Sequence, residues 1–154
     1  MRNPDDVSQW QAQDVISRGY IHDPVFVTLL QNTRAASAIG VSEFDAIMIS
    51  GGQGPMFKME KATDTINKFS EFYAAGKPSI ALGHGVSILR YATHADGQLI
   101  AKGKAVTGFS NIKEDFADEA VWSMNAIPRG NHIMPWRIED ELKKAAANFI
   151  QGGL

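Results

Sequence analysis

Two glycine-rich turns contain the residues whose types and spacing could support chemistry. One turn covers residues 51–55 and follows a short apolar run, and the other is Gly83-His84-Gly85. Gly51 and Gly52 lack Cβ atoms, so a substrate can approach the chain closely and a developing oxyanion can meet backbone N–H groups. His84 can act as a general acid or base near neutral pH. The structural alternatives are a tight turn without a ligand and a histidine that makes only structural hydrogen bonds.

The second turn has the form of a nucleophile elbow, a sharp strand-to-helix turn that projects one side chain at the N-terminus of a helix. Gly83 stands at this elbow and has no side chain to project. The chain contains no cysteine, so no thiolate of its own can act as a nucleophile. No serine lies in the G-x-S-x-G pattern, and the serines nearest to the two turns are Ser50, Ser79 and Ser87. The elbow is therefore predicted to lack a nucleophile.

The other polar and aromatic residues indicate structural roles. No H-x-x-x-H spacing joins the remaining histidines, so no metal site and no cofactor are expected at His22, His94 or His132. An acidic run is interpreted as a solvated face, although a carboxylate there could orient a histidine; it consists of Glu114, Asp115, Asp118 and Glu119. Packing is the expected role of the aromatic residues Tyr73, Tyr91, Trp122 and Trp136.

Strands and helices alternate around the two turns. Short apolar runs at 44–50 and 78–82 are typical of strands buried on both faces of a parallel sheet, and each run ends at one of the turns. Helices are predicted over 24–37 and 61–75, after the elbow, and from Pro135 onward. This order predicts an α/β domain with a parallel sheet. Ligands bind beyond the carboxyl ends of the strands in such sheets, where both turns lie.

Length and composition limit the classes of partner. The chain has 154 residues, of which 44% are hydrophobic and 21% charged, which fits one globular domain over 23–154 after a polar arm or weak helix over 1–22. Fifteen basic residues against 17 acidic residues give a net charge of -2, which argues against nucleic acid and anionic membranes as partners. No apolar run approaches the ~18 residues that a membrane span needs. The N-terminus is polar and no apolar segment follows it, so the chain is predicted to be cytoplasmic.

A set of motifs in a fixed order resembles the ThiJ/PfpI superfamily over roughly residues 20 to 150. The motifs include the segment 44–56, Gly76-Lys77-Pro78, the segment 81–85, Thr107-Gly108-Phe109 and the segment 135–142. Within the superfamily, the chain is most similar to the branch of glutathione-independent glyoxalases and heat-shock chaperone-like proteins. The resemblance implies a flavodoxin-like three-layer sandwich with a mostly parallel sheet, in a protein that is usually a homodimer.

The resemblance also implies a reaction and the residues that take part in it. In the family, an elbow cysteine attacks a small aldehyde or 2-oxoaldehyde such as methylglyoxal, and a histidine and an upstream glutamate move protons to give a hydroxy acid. Carried over to this chain, His84 is the elbow histidine, and the oxyanion donors lie at Gly51, Gly52 and Gly85. Gly83 stands where the cysteine is expected. No counterpart of the opening strand, the upstream glutamate or the closing strand is found, so the sheet is expected to be truncated at both ends.

Three functional hypotheses follow. The first is a glyoxalase-like protein that keeps the pocket but is catalytically impaired because Gly83 cannot form a covalent adduct. The second is a chaperone-like or protein-interaction module that binds other chains through exposed apolar surface. In the third, His84 acts as a general base on water, giving hydrolytic or isomerase activity.

Overall fold

The computed structural model describes residues 15–151, apart from the side chains of residues 15, 17 and 18. The chain forms two compact units, Met1–Ala38 and Ile39–Leu154. Parts of the predicted arm over 1–22 and of the predicted domain over 23–154 lie outside the described residues, and this division stays a prediction. No helix in the described range is long and apolar enough to cross a membrane.

Two short α-helices lie in the part of the first unit that the structure describes. Helix α1 spans Val15–His22 and α2 spans Pro24–Gln31. Asp23 caps α2, since its Oδ1 accepts a hydrogen bond from the Val25 N–H at 2.9 Å, and proline occupies the first helical position. The predicted extension of this helix to residue 37 is wrong. The helix ends at Gln31, and the Asn32 side chain donates to the Thr28 carbonyl at 2.9 Å.

The second unit contains two pairs of parallel strands. Strand β1 (Ile47–Ile49) pairs with β2 (Ser79–Ala81), with Met48 opposite Ile80. Strand β3 (Ala105–Val106) pairs with β4 (Asn148–Phe149). Helices α3 (Gly54–Lys58) and α4 (Thr63–Ala74) connect β1 to β2, and the later helices are α5 (Asn111–Ser123) and α6 (Ile138–Lys144). The parallel α/β arrangement that the sequence predicts is therefore confirmed.

The predicted strands are longer and more buried than the observed ones. Strand β1 occupies three residues of the predicted run 44–50, and β2 occupies three residues of 78–82. Met48 and Ile80 are 59% and 42% exposed, so the prediction that both faces of the sheet are buried is wrong for this face. An apolar run shows that a strand is hydrophobic, but it does not show whether another layer covers each face.

A 3-10 helix over Gly83–Arg90 follows β2 directly and connects two hydrophobic cores. Its Val86 belongs to one core, together with Met56, Ala101, Met134, Ile138, Leu142 and Ala147. Its Ile88 belongs to the other core, together with Met59, Phe69, Ala92 and Ile100. The elbow that begins this helix is consequently held from both sides.

Candidate functional site

The two glycine turns lie against each other at the carboxyl ends of β1 and β2. A Cβ atom on Gly51 would lie 2.9 Å from the Leu82 carbonyl oxygen and 3.4 Å from the His84 nitrogen. A Cβ atom on Gly85 would lie 2.6 Å from the carbonyl oxygens of both Ile49 and Ser50. Glycine is required at Gly51 and Gly85 because only a residue without a side chain allows this backbone contact. The structure therefore brings together the two turns that the sequence analysis singled out.

Gly83 and Gly52 border open space. Gly83 has a φ of +52°, and among the described residues beyond its chain neighbours a Cβ there would meet a single atom, the Gly51 Cα, at 3.8 Å. Gly52 has a φ of +92°, and no described residue other than its chain neighbours lies within 4 Å of its Cβ position. A Cβ atom at Gly83 would thus fit sterically, at the conformational cost of about 1–2 kcal/mol that L residues incur in the left-handed region.

His84 forms a buried pair with Glu114 of helix α5. The His84 Nε2 lies 2.9 Å from the Glu114 Oε1, and the two residues are 8% and 2% exposed. The Phe109 ring stacks on the imidazole, with ring centroids 4.2 Å apart and an interplanar angle of 24°. These contacts fix the orientation of the His84 ring. They use Nε2, which leaves Nδ1 as the ring nitrogen that can exchange a proton with a ligand.

The interpretation of the acidic run as a solvated face is wrong for two of its four residues. Glu114 and Asp118 are buried, whereas Asp115 and Glu119 are exposed. Residues four apart lie on the same side of an α-helix, so one pair faces the interior and the other faces solvent. The alternative that a carboxylate of this run orients a histidine is confirmed for both buried residues, since Asp118 also pairs with a histidine.

The N-terminus of α5 is held by helix α6. The Oε2 atom of Glu139 accepts a hydrogen bond from the Asn111 N–H at 2.8 Å, and its Oε1 accepts one from the Lys143 ammonium at 2.6 Å. The hydrogen bonds from Lys143 and Asn111 hold the pKa of Glu139 below its ordinary value, against the opposing effect of burial. The side-chain amide of Asn111 also donates to the Asp140 Oδ1 at 2.8 Å. These contacts fix the first turn of the helix that carries Glu114.

Asp118 holds the segment 132–137 against the same helix, one turn after Glu114. Its Oδ1 accepts a hydrogen bond from the Ile133 N–H at 2.9 Å, and its Oδ2 lies 2.7 Å from the His132 Nδ1 and 3.0 Å from an Arg137 nitrogen. Burial alone would raise the pKa of Asp118. The bonds from Ile133 and His132, together with the positive charge of Arg137, outweigh burial and lower that pKa.

The other candidates from the sequence have contacts of their own. His22 ends α1, and His94 makes an edge contact with Tyr73 at 5.5 Å. The Ser79 hydroxyl donates to the Lys77 carbonyl, and the Ser87 hydroxyl is buried with no partner among the described residues. Within residues 15–151 no cluster of three His, Asp or Glu side chains could hold a metal ion. Trp122 and Trp136 donate to the carbonyls of Asn131 and Met56, which fits the packing role predicted for them.

The chain is similar in sequence and in fold to several known proteins. The chain is 29% identical over 132 residues to a "Probable glutathione-independent glyoxalase" of Schizosaccharomyces pombe, a match that covers 84% of the chain and 48% of the relative. It is 31% identical over 127 residues to "Glyoxalase 3" of Candida albicans, covering 82% of the chain and 51% of the relative. The solved structure of the 24 kDa Rapid Encystment Protein of Francisella tularensis aligns with 95% of the chain and 60% of its own length, at 26% identity and a TM-score of 0.74.

These relatives confirm the resemblance of the chain to the ThiJ/PfpI superfamily. Its fold is of the flavodoxin-like type found in that superfamily, as the resemblance implied. No protein-family model matches the chain. The chain spans about half the length of the curated relatives it matches. In this chain, a buried histidine–carboxylate pair includes the residue that follows Gly83. Gly83 is the position where the resemblance places the cysteine.

Proposed function

We propose that the chain carries a glyoxalase-type site for small aldehydes or 2-oxoaldehydes that keeps its acid–base pair but has no covalent nucleophile. The observation that carries this proposal is the buried His84–Glu114 pair beside Gly83, in a chain without cysteine. A fixed imidazole one residue after Gly83 is suited to moving a proton on a carbonyl compound bound at the elbow. Without a thiolate, the substrate cannot be held as a covalent adduct, and turnover of methylglyoxal alone is expected to be near background.

The backbone donors at the elbow differ from those first expected. The Gly85 N–H donates to the Leu82 carbonyl at 2.8 Å and is therefore used within the turn. The N–H groups of Gly83 and His84 precede this first bond of the 3-10 helix, so they are the donors left at its N-terminus. In our proposal these two groups, together with the Gly52 N–H, face the carbonyl oxygen. The role of Gly51 is to allow the close approach of the two turns.

The test compares methylglyoxal consumption without glutathione by the parent chain, Gly83→Cys and Gly83→Ala. The alanine variant is a matched control, because it has the same left-handed backbone cost as the cysteine variant and no thiol. After circular dichroism shows that all three proteins are folded, we expect activity only in Gly83→Cys. A folded Gly83→Cys with no activity above Gly83→Ala would overturn the proposal.

A second candidate function is a chaperone-like or protein-interaction role. It is favoured by the exposed apolar face of the sheet formed by Met48, Ile80 and Leu82, which are between 42% and 59% exposed. Apolar surface of this kind is typical of sites that bind other chains. Suppression of aggregation of an unfolded client protein, equal in the parent and in His84→Gln, would support this function independently of the carbonyl site. The cytoplasmic location and the homodimer predicted from the sequence likewise stay predictions.

A further inference from the structure

We infer that the site acts on a 2-oxoaldehyde that already carries an external small thiol, so that the substrate brings the sulfur atom that Gly83 does not supply. This inference rests on the proposed function and names its substrate class as the hemithioacetals of 2-oxoaldehydes. Such adducts form in solution by addition of a thiol to the aldehyde carbon. They need no nucleophile from the protein.

Space is open beside Gly83. The left-handed backbone directs a Cβ position toward Gly51, and, apart from the chain neighbours of Gly83, the Gly51 Cα at 3.8 Å is the single atom of the described residues within 4 Å. That distance is ordinary van der Waals contact, so a Cβ-sized group can lie there without displacing the chain. The opposite turn adds Gly52, whose Cβ position has no neighbour within 4 Å among the described residues beyond its own chain neighbours. In our inference, the sulfur of the adduct occupies this space.

His84 and Glu114 retain the arrangement of an acid–base pair. His84 is held by Glu114 at 2.9 Å and by the stacked Phe109 ring, although the chain has no thiol for this histidine to activate. A histidine in this arrangement can still take a proton from carbon and return it to a neighbouring atom. Burying a carboxylate next to an imidazole costs desolvation energy. Proton transfer from a bound substrate to His84 would offset this cost, because the Glu114 carboxylate stabilises the positive charge of the imidazolium.

The chemistry of the step balances without a further reactant. The thiol sulfur has already formed a bond to the aldehyde carbon, whose oxygen carries a proton. His84 removes the hydrogen on that carbon as a proton, which gives an enediolate, and returns this proton to the adjacent former ketone carbon. The hydroxyl proton of the first carbon passes to the former ketone oxygen. The first carbon is oxidised to a thioester and the second is reduced to an alcohol. The net reaction is an isomerisation of a hemithioacetal to the thioester of a 2-hydroxy acid.

The test follows thioester formation from methylglyoxal and 2-mercaptoethanol. Because the chain has no cysteine, the added thiol cannot form a disulfide or an adduct with a protein thiol. We expect a protein-dependent rate that rises with the concentration of the adduct. The rate should fall about 100-fold in His84→Gln, a loss typical of removing a general base. The matched control is His132→Gln, since this second histidine also pairs with a carboxylate of α5 but lies half-exposed on Asp118; its rate should equal that of the parent.

The variants at Gly83 separate the failure of this inference from the failure of the proposed function. Gly83→Cys without added thiol tests the carbonyl site alone. If Gly83→Cys consumes methylglyoxal but thioester formation by the parent equals that of His84→Gln, the external-thiol inference is overturned and the proposed function stands. If folded Gly83→Cys is inactive, the proposed function fails as well. Gly83→Val fills the space and should lower the thiol-dependent rate, and an unchanged rate in this folded variant would also overturn the inference.

Discussion

Removal of the Glu114 carboxylate should lower the free energy of unfolding. Glu114→Ala leaves the His84 Nε2 without its partner in a region from which water is nearly excluded, and we expect a loss of about 1–3 kcal/mol in the free energy of unfolding. Glu119→Ala, on the exposed side of the same helix, removes only a surface ion pair with Arg129 and should cost about 0.5 kcal/mol. Urea unfolding followed by circular dichroism measures both values. Equal losses would contradict the role we assign to the buried pair.

Two carboxylates predict an acid-sensitive fold. Hydrogen bonds from Lys143 and Asn111 lower the pKa of Glu139, and Asp118 is also held below its ordinary pKa. Such groups add stability above their unfolded pKa and lose this contribution as the pH falls through the folded value. We therefore expect the free energy of unfolding to decrease as the pH falls below about 4. Urea unfolding at several pH values should show a shallower decrease in Glu139→Gln, and parallel curves for variant and parent would contradict this origin.

The roles of individual residues were only partly predictable from the sequence. His84 stood out because a histidine between two glycines after an apolar run is a local pattern. Glu114 was predicted only as one of four acidic residues that could orient a histidine, because charge alone does not tell which side of a helix faces inward. The structure shows that α5 has an inverted pattern, in which the apolar residues Ile112 and Phe116 are exposed while the acidic residues Glu114 and Asp118 are buried. The sequence signal for this pattern is the four-residue spacing within each pair.

Among the secondary-structure elements, the elbow depends on glycine at a defined contact. A Cβ on Gly85 would lie 2.6 Å from two carbonyl oxygens, so Gly85→Ala must displace either β1 or the 3-10 helix. We expect destabilisation of about 1–3 kcal/mol, as for overpacked cores. Gly54→Ala is the matched control, because no described residue outside its own turn of α3 lies within 4 Å of its Cβ position. Thermal unfolding should leave Gly54→Ala within a few degrees of the parent, and a similar result for Gly85→Ala would contradict the close contact.

The types and order of the elements were predictable, but their ends were less so. The alternation of apolar runs with amphipathic segments indicated parallel strands joined by helices, and the structure has these elements. Strand β1 stops short of the predicted range because only Ile47–Ile49 find partners on β2. Helix α2 ends at Gln31, where both the backbone N–H and the side chain of Asn32 donate to the Thr28 carbonyl. The limit of the strand depends on a partner that a local pattern does not contain.

At the scale of the whole molecule, the exposed face of the sheet predicts association. Met48 and Ile80 lie opposite each other on β1 and β2 and are both exposed. We expect Ile80→Thr, which keeps a β-branched strand residue, to lower the binding of a hydrophobic dye and the suppression of client aggregation. Phe116→Ser removes an exposed aromatic residue from α5 and serves as the control for hydrophobicity in general. If both variants lose binding equally, the sheet face has no special part in association.

The 3-10 helix over Gly83–Arg90 limits which substitutions the chain can accept near the elbow. Because Val86 and Ile88 belong to different cores, most substitutions near the elbow impair folding before they affect any reaction. Selection for a folded protein alone is then enough to retain this turn, whatever residue stands at position 83. The side-chain direction of Gly83 contacts neither core. A change at this position therefore leaves the packing of both cores intact, and its cost to the fold is that of the left-handed backbone.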